Sequence, residues 1–174
     1  MRLFINALGF QAAWWACISG IGQGLEIAAL IFCLVLAGLH LCFANQPRQE
    51  IRLAALALAV GVLTDTLLQM LNVISFYGWA LGPLSPFWLW MLWVMFALTL
   101  NTSLAFLKAQ SLWISCLAGL VFGPITYYAG AKLGAAAFDG SLYHFGALAL
   151  AWALALPWLI FLAKTPTTLQ QGPT

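Results

Sequence analysis

The stretch IRLAALALAVGVLTDTLLQMLNVISF, Ile51–Phe76, decides the fold. It is long, almost wholly aliphatic, and carries one acid in its interior, Asp65. A helix needs about 20 apolar residues to cross the hydrocarbon core of a bilayer, and this run supplies them. Asp65 lies 14 residues after Ile51, roughly 21 Å along a helix and near or beyond the midplane. An ionised carboxylate at that depth costs about 2.5–3.5 kcal/mol on insertion scales. It is therefore not expected to face lipid.

The whole chain has the same character. Of its 174 residues, 64% are hydrophobic and 6% are charged, with a mean hydropathy of +1.00. A water-soluble domain of this size needs a polar skin that such a composition cannot provide. The expected fold is all-α: a polytopic transmembrane bundle of six helices forming a single domain over residues 1–164, followed by a polar C-terminal tail, 165–174. Besides Ile51–Phe76, the spans are read at Leu3–Ile21, Leu25–Ala44, Phe87–Leu107, Ser111–Ala135 and Tyr143–Ala163. Gly20-x-Gly22-x-Gly24, Asn45–Glu50, Gly82–Pro86, Lys108–Gln110 and Asp139–Ser141 mark the breaks. Arg2 before an apolar run superficially resembles a signal peptide. Asn6 and Gln11 interrupt that run, however, and Trp14–Cys17 is a poor cleavage site, so it is read as a retained helix.

Six spans bring Arg2, Arg48, Arg52, Lys108 and Lys164 to one side and leave Lys132 near the other. That bias predicts both termini in the cytoplasm. Trp79, Trp88, Trp90, Tyr127, Tyr128 and Tyr143 gather near the outer ends, where an interfacial aromatic belt is expected. The two halves show no convincing internal repeat, since the sixth span lacks a counterpart of Asp65.

Gly61, Asp65, Gln69 and Asn72 follow at spacings of 4, 4 and 3 and would share one helical face. Such a stripe either fastens helices together or lines a polar pocket. On the fifth span Pro124, Tyr128 and Lys132 recur every fourth residue, and Glu26 opens the second span on the same side. Lys132 is expected either to snorkel to the interface or to pair with Asp65, Glu26 or Asp139. The candidate ligand-binding set is therefore Asp65, Gln69, Asn72, Tyr128, Lys132 and Glu26, in a pocket between the third and fifth spans. Gly119-x-x-x-Gly123 and Gly130-x-x-x-Gly134 suggest that the fifth helix is central, with the third against it.

The four cysteines lack a paired spacing and read as packing residues. No metal site is expected, because His40 and His144 fall on opposite sides. Nucleophile and phosphate-loop motifs are missing, so no catalytic residue and no cofactor are assigned. The formal charge of +2 is too small to suggest nucleic acid.

The segments NALGFQAAWWACISG, LTDTLL, LWVMFALTLNTSL and FGPITYYAGAKLGA, in that order and spacing, resemble an uncharacterised family of small, multi-spanning bacterial inner-membrane proteins, a domain of unknown function. The resemblance covers nearly the whole chain. It implies a multi-pass protein of the bacterial inner membrane. It further implies genes often placed near cyclopropane-fatty-acid-synthase-like genes, and so a link to membrane lipids. It brings no catalytic residues. The leading expectation is binding or transport of a small amphipathic or lipid-like molecule. Alternatives are an enzyme or accessory of fatty-acyl modification using Asp65 as acid or base, and an assembly partner of another membrane protein. The expected surroundings are the lipid bilayer, with a lipid-like molecule or a membrane protein as partner.

Overall fold

The computed structural model describes residues 1–164; the expected polar tail, 165–174, lies outside the described residues. Among the described residues there are six α-helices: α1 (Arg2–Gln23), α2 (Glu26–Cys42), α3 (Pro47–Met70), α4 (Phe87–Ala97), α5 (Leu112–Lys132) and α6 (Leu142–Lys164). Two short antiparallel strands, β1 (Ser75–Phe76) and β2 (Ala136–Ala137), tie the ends of α3 and α5 together. Helices α1, α3, α5 and α6 are long and apolar enough to cross a membrane, whereas α2 and α4 are apolar but shorter. Large apolar side chains are exposed along the bundle, among them Phe4, Leu63, Phe122 and Leu154. A surface of that kind is compatible with an integral membrane protein.

Side-chain contacts show how the helices alternate. At one end Asn6 of α1 meets His40 of α2, which faces Glu50 of α3. At the other, Glu26 of α2 meets the loop at Trp79, and the ring of His144 on α6 meets the Asn72 carbonyl. Successive helices therefore run up and down.

The fourth element departs from the expected helix over Phe87–Leu107. Helix α4 stops at Ala97, and the chain continues through turns into a 3₁₀ helix, Ala105–Ala109. The side chain of Asn6 explains the break. Its amide donates to the Leu98 carbonyl (3.1 Å), while its oxygen accepts from the Ser103 backbone N–H (3.2 Å) and hydroxyl (2.6 Å). Thr99 also donates its hydroxyl back to the Phe96 carbonyl at 2.6 Å. Short polar side chains compete with helical bonding in this way.

The glycines direct the packing. A Cβ at Gly119 would strike the Trp152 backbone, and one at Gly123 the Trp152 side chain, so α5 lies directly on α6. A Cβ at Gly61 would overlap the Trp93 indole, which brings α3 against α4. The expectation that α3 packs along α5 is thus corrected: each has a different principal neighbour. Gly134 does not join a glycine seam. With φ 88° it terminates α5, and Ala135 N–H returns to the Gly130 carbonyl at 3.0 Å.

Candidate functional site

Asp65 is fully buried. Its carboxylate accepts the Trp93 indole N–H at 2.6 Å and the Tyr127 hydroxyl at 2.5 Å. One acid thereby joins α3, α4 and α5, and Gly61 leaves the space that lets Trp93 approach. Burial makes both donors costly to orphan. The Trp93 ring stacks on Trp152 of α6, with centroids 4.8 Å apart and planes at 11°. Tyr127 meets Trp152 and Phe76 edge-on. The Trp152 indole nitrogen is buried without a hydrogen-bond partner.

A cavity of about 70 Å³ adjoins this node. Phe10, Trp14 and Ile18 of α1 form one wall, and Tyr127 and Gly130 of α5 another. Trp88, Trp93 and Phe96 of α4 provide the floor, and Trp152 contributes from α6. Thr126, which is exposed, stands at the rim. Asp65 itself does not reach the cavity; its two donors do. The polar edges of Trp93 and Tyr127 turn toward Asp65, and their rings present apolar surface to the space.

The six residues expected to line one pocket are distributed among several places. Gln69 is half-buried and accepts a long 3.4 Å bond from the Phe76 backbone. Asn72 lies beyond the end of α3, exposed, with a left-handed φ of 54°. Val73 N–H there returns to the Leu68 carbonyl at 2.9 Å, so Asn72 is a helix terminator of the kind glycine usually provides. The 4-4-3 spacing suggested a continuing stripe because it assumed a continuing helix. Tyr128 and Lys132 do come together, but on the surface: the ammonium sits 5.2 Å from the ring centroid. Lys132 is thus a cation over an aromatic face, away from Asp65. Glu26 borders a separate groove with Tyr77 and Trp79.

Sequence reasoning missed Tyr127 and Trp152 and gave Trp93 no role beside Asp65. Tyr127 and Trp88, expected in an interfacial belt, are both buried, and Trp88 donates to the Tyr77 carbonyl at 2.7 Å. The useful signal was Gly61, one turn from Asp65, because a missing side chain beside an acid leaves room for a large donor. Among the described residues no group of three His, Cys, Asp or Glu side chains converges to hold a metal.

A family model described as a protein of unknown function, DUF2878, matches residues 3–158. The chain belongs to the DUF2878 family. For this DUF2878 chain no curated protein and no solved structure gives a match. The match takes in every residue of the Asp65 node, Trp93, Tyr127 and Trp152 included.

Proposed function

We propose that this protein binds the apolar chain of a small lipid-like molecule within the membrane. The observation that carries this reading is the aromatic cavity beside the Asp65 node. Its walls are mainly rings and aliphatic side chains from four helices, and the polar atoms of Trp93 and Tyr127 are engaged with Asp65. Such a lining favours hydrocarbon over a polar solute. Pockets that enclose whole ligands usually measure about 300–1,000 Å³. A space of about 70 Å³ suits a segment of chain entering past Thr126, with the remainder in lipid.

This reading assumes six spans in a bacterial inner membrane with both termini cytoplasmic. The bundle alternates, and Arg2, Arg48, Arg52, Lys108 and Lys164 belong to the end opposite Lys132. Helix α4 alone is only about 17 Å long. The turns after it are walled in by neighbours, with Leu98, Thr99 and Leu100 buried, and irregular backbone at membrane depth is tolerated when covered.

The test uses purified protein and a diazirine-labelled fatty acid. Crosslinks are expected on Trp14, Trp152 or the segment Thr126–Ala131, and Ala131→Phe, which fills the space, should reduce them. Labelling spread evenly over the lipid-facing surface, or unchanged in Ala131→Phe, would count against the site. The pairing of the Tyr127 hydroxyl with Asp65 beside the cavity supports a second reading, an enzyme of acyl modification in which Asp65 acts through the Tyr127 hydroxyl. Tyr127→Phe keeps the ring and removes the hydroxyl. Chain binding retained with loss of a lipid product in cells would favour that reading.

A further inference from the structure

The four acidic residues of the chain are satisfied unequally. Asp65 accepts two side-chain donors. Glu50 has a buried oxygen without a hydrogen bond but faces the His40 ring at 3.9 Å, and Asp139 faces the His144 ring at 3.7 Å. Glu26 is 7% exposed and has a single donor, the Trp79 backbone N–H, which both carboxylate oxygens share at 3.0 Å. No ion pair reaches it among the described residues. An ionised carboxylate has about four acceptor sites, and burying one without a counter-charge is expensive.

Glu26 also borders a groove of about 590 Å³, lined by Ile21, Leu25, Ile27, Ile31, Tyr77 and Trp79. Gly78 holds this arrangement in place. It has φ 112°, and a Cβ there would come within 3.0 Å of Glu26 Oε1, Ile21 Cδ1 and Trp88 Cδ1. The rings of Tyr77 and Trp79 are about half exposed (49% and 57%), and Ile27 and Ile31 continue down the outer face of α2 (52% and 56%). A buried acid, two accessible aromatic rings and a descending apolar track thus lie in sequence from the end of the bundle toward its middle.

We propose that this groove holds a membrane lipid with a primary ammonium headgroup. The ammonium would supply the charge and the N–H donors that Glu26 lacks. Tyr77 and Trp79 would face the cation, and the acyl chains would run along Ile27 and Ile31. On the six-span reading, the start of α2 lies at headgroup level. The site is separate from the chain cavity and does not depend on it.

The probe is a nanodisc containing equal parts of phosphatidylethanolamine, phosphatidylglycerol and phosphatidylcholine, with native mass spectrometry of the lipid retained by the full chain. Phosphatidylethanolamine is expected to be enriched over phosphatidylglycerol, which has no cation, and over phosphatidylcholine, which has charge but no N–H. Glu26→Gln keeps an acceptor for Trp79 and should reduce the enrichment about fivefold. Trp79→Leu keeps the backbone donor and should reduce it by a smaller factor. Equal retention of the three lipids by the native protein, or undiminished enrichment in Glu26→Gln with an unchanged melting profile, would overturn the assignment. If Glu26→Gln does not fold, undiminished enrichment in Trp79→Leu would overturn it.

Discussion

Asp65 and Glu26 are both buried carboxylates, yet their surroundings differ in kind. Asp65 receives one side-chain donor from each of two neighbouring helices and is sealed from all sides. Glu26 shares one backbone donor and borders a broad groove. An acid with its donors built in sets the spacing of helices, and here it shapes the cavity beside it. An acid with acceptor capacity to spare can take a donor from outside the chain. The charge of a residue inside a membrane protein therefore says less about its role than the number of donors that surround it.

Changes at the sealed node should be the most damaging. Gly119→Leu places a side chain against the Trp152 backbone, which cannot move without separating α5 from α6. It should abolish the folded, monodisperse protein in size-exclusion chromatography, a loss above about 3 kcal/mol. Asp65→Leu orphans the Trp93 and Tyr127 donors and should cost about 2–5 kcal/mol, read as a large fall in thermal midpoint. Asp65→Asn keeps an acceptor and should lose about half of that. Asp65→Leu that folds normally but loses chain binding would instead make the acid a functional group rather than a fastener. Tyr127→Phe removes one of the two bonds and should cost about 1–2 kcal/mol, again measured by melting.

The helix terminator provides the smallest effect. Asn72→Gly should be neutral within about 0.5 kcal/mol, because glycine accepts the left-handed φ freely, whereas Asn72→Val should cost about 1–2 kcal/mol. Equal melting points for these two variants would remove the structural role given to Asn72. At the open acid, Glu26→Gln keeps an acceptor for the Trp79 N–H and should leave the melting profile within about 1 kcal/mol of the native protein. A collapse comparable to that of Asp65→Leu would erase the distinction between the two carboxylates.

Much of the helix map was legible in advance because a bilayer imposes length and apolarity on each crossing segment. Leu3–Ile21 was expected and α1 is Arg2–Gln23; Ser111–Ala135 was expected and α5 is Leu112–Lys132. The end of α4 was not legible. It depends on Asn6, which is 92 residues away from the Leu98 carbonyl it captures. The partner of Asp65 was missed by a single position, Tyr127 for Tyr128. Adjacent residues on a helix point about 100° apart, and in α5 both directions are apolar.

The sequence alone determined that this chain belongs with lipid, roughly where most of its helices fall, and that Asp65 must turn inward. Those conclusions follow from the cost of placing polar groups in hydrocarbon, which depends on composition and spacing. Tertiary structure decided which donors meet Asp65, that Lys132 lies over Tyr128, and that Asn72 ends a helix. Each of these depends on the rotation of one helix against another. In a bundle whose helices are apolar nearly all round, that rotation is fixed by glycine gaps and ring contacts between distant segments.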